Sequence, residues 1–168
     1  MSYIVRIAIY DIRTTIDDIR IGFMGSRRKA RECALQLLYQ LDIGGGMVKD
    51  ATQTYWASQE HDADVQNFAN SLVEGVVRNL SEIDDVISSY STNWKVSRMA
   101  SIDKNILRIA VYELTRCPDI PIKVTINEAV EIAKCYGTEE SGAFVNGILD
   151  NVAKKYAKEK SATEEGPQ

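Results

Sequence analysis

Residues 26–42 read SRRKARECALQLLYQLD. Ala30, Cys33, Ala34, Leu37, Leu38 and Leu41 recur at steps of three and four, the interval that aligns one face of an α-helix. Ser26 is placed to cap the start, and Gly44-Gly45-Gly46 to end the helix in a loop. The other faces are polar, so the apolar stripe needs partners to cover it.

The same period continues downstream. A weaker helix over 47–60 carries Tyr55 and Trp56. A longer one buries Val65, Phe68, Ala69, Leu72, Val73, Val76, Val77 and Leu80. Ser81 with Asp84 resembles a capping box opening the next helix, which carries Ile83, Val86, Ile87 and Tyr90. Residues 91–97 read as a loop. Residues 101–116 place Ile102, Ile106, Leu107, Ala110, Val111 and Leu114 inside. Pro118 and Pro121 break the chain. Thr125 and Glu128 then predict a capping box, and Gly137 a left-handed stop. The last helix opens at Thr138 or Ser141 and carries Phe144, Val145, Ile148, Leu149, Val152, Ala153 and Tyr156. This predicts an all-α chain of about six or seven helices packed as bundles.

Upstream, residues 1–24 differ. Their β-branched run is strand-like in its first half and predicts either an extra strand or arm, or a preamble created by an upstream start, with Met24 as the true first residue. The folded domain is expected over 25–158, followed by a polar, disordered tail over 159–168.

Composition narrows the function. The 168 residues hold 20 Lys and Arg against 24 Asp and Glu, a net charge of −4. That excludes a uniformly basic coat but not a local basic patch. Three separated cysteines and one histidine provide neither a disulfide framework nor a histidine-based metal site. No apolar run approaches the ~20 residues of a membrane span, and a cytoplasmic protein is expected. Glycines 142 and 147 have phosphate-loop spacing, but Ile148 and Leu149 stand where Lys and Ser or Thr are required. No catalytic motif, metal site or cofactor site is expected.

The sharpest anomaly is Arg27-Arg28-Lys29 with Arg31. Four cations occupy the first turns of a helix, where the macrodipole favours anions; each is unfavourable by about 0.3–1 kcal/mol unless something offsets it. A polyanion would do so; a solvated basic face is the alternative. Aromatics near cations would add base stacking. Tyr39 lies just off the apolar stripe, Tyr136 follows Lys134, and Phe144 fits the apolar stripe of the last helix, which favours a core position.

Three segments together resemble the NusB family of bacterial transcription antitermination factors: SRRKARECALQLLYQLD at 26–42, DKNILRIAVYEL at 103–114, and IPIKVTINEAVEIAKCYGTEESGAFVNGILD at 120–150. The resemblance covers 24–156. It implies two packed three-helix subdomains with extra helices, no enzymatic activity, and binding of the boxA element of nascent ribosomal RNA jointly with NusE, a small-subunit ribosomal protein. It also implies loading on RNA polymerase with NusA and NusG, and the occurrence of homodimers. For sites it implies RNA contact at Arg27, Arg28, Lys29 and Arg31 of the first helix, at Phe144 in the F-V-N motif, and at Glu140; Lys134 and Tyr136 join this set as neighbours. It implies NusE contact at Tyr39 and Asp103. Asp103 stands where glutamate is common, and 91–100 departs from the family by an inserted residue. The alternatives are a helical adaptor binding protein only, and an RNA-targeting module like the NusB-like domain of ribosomal-RNA methyltransferases. The chain carries no S-adenosylmethionine motif for the latter.

Overall fold

The structure, a computed structural model, describes residues 25–91 and 94–164, with side chains to 156. The strand or arm expected over 1–24 lies outside the described residues. Seven α-helices follow one another: α1 over 25–44, then α2 (Val48–Ala57), α3 (Ala63–Arg78), α4 (Leu80–Tyr90), α5 (Ser101–Arg116), α6 (Ile122–Tyr136) and α7 (Ser141–Glu164). A single 3₁₀ turn, Val96–Arg98, sits between α4 and α5, overlapping the end of the 91–97 segment read as loop. No strand occurs among the described residues.

The stripe of α1 is buried as its spacing predicts: Ala30, Cys33, Ala34, Leu37 and Leu38 lie in the core, and Leu41 packs at its edge. Gly45 and Gly46 end the helix with φ of 63° and 98°, a backbone that other residues adopt only at a cost. Tyr55 of α2 donates its hydroxyl to Gln36, and Trp56 donates its indole N–H to Asn70 of α3 at 2.8 Å. These bonds tie the first three helices together.

α5 is the central helix. It packs against α3, α4, α6 and α7, and it buries polar Asn105, Arg108 and Glu113 along with Ile106, Leu107, Ile109, Ala110 and Val111. The buried side chains form one continuous cluster with members on all seven helices. Gly75 of α3 lies against the Tyr112 ring of α5, where a Cβ would overlap it. A helical Gly→Ala change normally stabilises by up to about 1 kcal/mol. Here the sign reverses: Gly75→Ala is expected to destabilise by about 1–3 kcal/mol through overpacking, read as a lower denaturant midpoint.

Several local expectations are corrected. Ser26 lies inside α1. α4 starts at Leu80 after Asn79, and Asp84 accepts from Arg108 at 2.8 Å through both its oxygens instead of closing a capping box with Ser81. α6 starts at Ile122, so Thr125 and Glu128 are interior positions; Thr125 donates to Glu113 and Glu128 accepts from Arg28. Gly137 has φ −94° and is not left-handed; it is small because a Cβ would collide with Ser141 and the Ala133 carbonyl. α7 continues to Glu164, through the first part of the tail expected to be disordered; Ala157, Lys158, Glu159, Lys160 and Ala162 are mostly strong helix formers.

An ionic network fastens the far end of α1. Asp42 receives Arg108 at 3.3 Å, Asn105 at 3.0 Å and the Lys104 ammonium at 3.1 Å. Burial alone would raise the Asp42 carboxyl; the Asn105 and Lys104 contacts and the Arg108 charge outweigh it and hold the group below its ordinary value of 3.8. A carboxyl depressed on folding adds stability that is present above its unfolded value and is lost as pH falls through the folded one. Asp42→Asn is therefore expected to flatten the loss of stability below about pH 4, with little change in that slope near neutrality. Acid titration of the denaturant midpoint checks this.

Candidate nucleic-acid interface

The basic start of α1 does not face solvent as an isolated cluster. Arg27 is half-buried, with its guanidinium carbon 4.0 Å from the centre of the Phe68 ring of α3. Arg28 donates Nε and Nη2 to the two oxygens of Glu128 on α6, at 2.8 and 2.7 Å, with its side chain still 46% exposed. That bidentate contact outweighs the burial cost and holds its guanidinium more firmly protonated than usual. Lys29 is equally exposed and sits 3.6 Å from Glu32, one turn on.

Arg31 is different. Its side chain is 5% exposed, and Glu113 accepts from it at 2.7 and 3.1 Å. Thr125 donates its hydroxyl to the same carboxylate at 2.8 Å, and Glu128 stands 4.0 Å away. Arg31, expected as an RNA contact, is instead buried: two of its five donors are bound to Glu113 in a pair that ties α1 to α5 and, through Thr125, to α6. The offset required by cations at a helix start thus comes in part from within, from carboxylates on α5 and α6.

The remaining expected residues fall into two groups. Lys134 is exposed on α6 and paired with Glu131 at 2.8 Å, and its side chain lies against Gly142 in the first turn of α7. Tyr136 is 40% exposed; partial burial and then the Glu32 carboxylate push its hydroxyl up. Glu140 is exposed just before α7, and its carbonyl accepts the Phe144 N–H at 3.0 Å. Phe144 is half-buried against the core, as its spacing favoured. Arg28 thus joins the start of α1 to Glu128 of α6, and Lys134 near the end of α6 lies against the first turn of α7. Arg28, Lys29, Lys134, Tyr136 and Glu140 are exposed, and Arg27 and Phe144 half-buried.

The second group sits at the opposite end of α1. Tyr39 is 38% exposed, eleven residues beyond Arg28, or about 16 Å along the axis. Asp103, in the first turn of α5, neighbours Lys104, which binds Asp42 at that same end. Its Oδ1 is buried and is the side-chain polar atom left without a hydrogen-bond partner among the described residues.

Inspection of the sequence missed the Glu113 and Glu128 carboxylates as partners of the arginines. Each lies 82 to 100 residues from its arginine, and the Thr-x-x-Glu pattern pointed to local capping instead. It also missed Asp119, which shares a cleft with Arg27.

The NusB family pattern matches residues 28–154. The chain belongs to the NusB family. It is 46% identical over 145 residues to the transcription antitermination protein NusB of Syntrophus aciditrophicus, covering 86% of this chain and 90% of that one. It is 51% identical over 132 residues to NusB of Anaeromyxobacter dehalogenans, covering 77% and 92%. Among solved structures, NusB of T. maritima superposes with a TM-score of 0.70 at 43% identity, over 81% of this chain and 96% of that one. A crystal structure of antitermination factors NusB and NusE in complex with double-stranded RNA contains a chain that superposes with a TM-score of 0.72 at 28% identity, over 79% and 99%. The NusB fold is thus all-α in this chain too. No helix of the described residues is long and apolar enough to cross a membrane.

Proposed function

We propose that this chain is an RNA-binding transcription antitermination factor that binds boxA of nascent ribosomal RNA together with NusE and supports processive transcription by RNA polymerase with NusA and NusG. The observation that carries it is the cationic start of α1, with Arg28 and Lys29 half-exposed, on a chain of the NusB family. The cations supply phosphate contacts, and the rings of Tyr136 and Phe144 supply faces on which unpaired bases stack. The family member solved with NusE and RNA supports both partners.

Tyr39 and Asp103 form the NusE side of the reading. An exposed tyrosine and a buried carboxylate oxygen with no partner suit a protein surface that brings its own donor, since an unmet buried acceptor costs about 1–3 kcal/mol. The chemistry is recognition, with no catalytic step, and the protein acts in the cytoplasm.

The test is fluorescence anisotropy on labelled boxA RNA, with and without NusE, on chains starting at Met1 and at Met24. Expected are salt-sensitive binding, preference over scrambled RNA, and tighter binding with NusE. Equal affinity for both RNAs, unchanged by NusE, overturns it. Tyr39→Ala is expected to reduce the NusE enhancement while leaving binding to RNA alone within about twofold, because it sits about 16 Å from the basic start.

A further inference from the structure

We propose that the cleft beside the basic helix start holds one unstacked base of the bound RNA, and that Asp119 reads it as a guanine. This rests on the RNA-binding reading above and assigns base recognition within it. The cleft encloses about 200 Å³ and is lined by Arg27, Arg31, Asp119, Ile120, Pro121, Val124 and Glu128. That is below the ~300–1,000 Å³ of pockets for whole small molecules, and it suits a single flat ring system. Its floor is apolar, from Ile120, Pro121 and Val124. Arg31 and Glu128 line it too, both nearly buried and already paired.

Asp119 differs from these two. It is exposed and lines the cleft, and its carboxylate has no hydrogen bond or ion pair among the described residues. It sits at the third position of a turn closed by the Ile120 N–H on the Cys117 carbonyl at 3.1 Å, with Pro118 at the second position, where its fixed φ suits such a turn. Pro121 then caps α6. The acceptor is thus presented on a stiff turn, which lowers the ordering cost of binding. Burial pushes the neighbouring Cys117 thiol up to about 11, so that thiol stays neutral.

An ionised carboxylate only accepts hydrogen bonds. Among the bases, guanine offers it two parallel donors on one edge, the ring N1–H and the 2-amino group. Single-stranded RNA is read through such splayed-out bases, stacked on aromatic or guanidinium planes. Arg27 lines the cleft, and its guanidinium carbon lies 4.0 Å from the centre of the Phe68 ring; in the proposal it meets the phosphate next to the bound base.

The experiment uses the full chain and boxA RNA in which each guanosine is replaced in turn by inosine, which lacks the 2-amino group, or by adenosine. The wild type is expected to lose about tenfold or more in affinity at one position. Asp119→Asn is expected to remove that penalty and to hold or raise affinity for RNA lacking the guanosine, because a negative charge has gone. Val124→Trp, which fills the cleft from an exposed position, is expected to remove the same preference. The salt slope of all three chains stays equal. A position-specific guanosine preference retained in full by both variants overturns the proposal, as does the absence of any sensitive position. Loss of salt-dependent RNA binding by the wild type itself would instead bring down the RNA-binding reading, and the same titrations show which has failed.

Discussion

Glu113→Gln is expected to destabilise the fold by about 3–5 kcal/mol, the cost of breaking a buried ion pair by removing one partner. Glu113 is 1% exposed and receives three hydrogen bonds, two from Arg31 and one from Thr125. Glutamine keeps the size and one acceptor, but it leaves the Arg31 cation buried with Glu128 as its nearest carboxylate, 4.0 Å away and already bound to Arg28. Denaturant unfolding followed by circular dichroism reads the loss; a change within about 1 kcal/mol would show that the pair does not behave as a buried one. Replacing the pair together, Arg31→Met with Glu113→Leu, is expected to recover most of the stability, because well-packed apolar side chains often match a buried pair. That double variant also settles the role of Arg31. If Arg31 only positions α1, boxA binding keeps the wild-type salt slope; a slope reduced by a full contact would restore it as an RNA ligand.

Replacing Arg27, Arg28 and Lys29 together by alanine is expected to weaken boxA binding on the order of a hundredfold at low salt, at about 1 kcal/mol or more per lost charged contact. The slope of log affinity against log salt should become shallower by about 0.7 for each phosphate contact removed from a single strand, or about 2 in all. Arg28 and Lys29 are both half-exposed but paired with Glu128 and Glu32, so RNA phosphate has to displace or share those carboxylates. Lys49→Ala, an exposed cation on α2, is the control and should leave the slope unchanged. An unaltered slope in the triple variant would remove the helix start from the RNA interface.

The helices were legible because each repeats its apolar residues every three or four positions, and burial of one stripe dominates any other local preference. Caps were less legible. Thr125-x-x-Glu128 and Ser81-x-x-Asp84 have the right spacing for reciprocal capping, yet Glu128 and Asp84 are drawn to Arg28 and Arg108, which a linear reading cannot place nearby. Charged hydrogen bonds are worth more than neutral ones, so the tertiary cation displaces the local backbone donor. The resemblance located the candidate site residues, and the structure divided them. Arg27, Arg28 and Lys29 sit at the start of α1, Lys134 and Tyr136 at the end of α6 and Glu140 and Phe144 at the start of α7; Tyr39 and Asp103 lie at the other end of α1; Arg31 is buried.

By itself the sequence determined an all-α fold, the apolar face of nearly every helix, and the presence of a cationic helix start in a chain of net charge −4. Those properties are local, fixed by side-chain period and composition. Only the tertiary structure decided which cations remain open to a phosphate. That depends on which carboxylates α5 and α6 bring against α1 from 82 to 100 residues away, and no short-range pattern records such a distance.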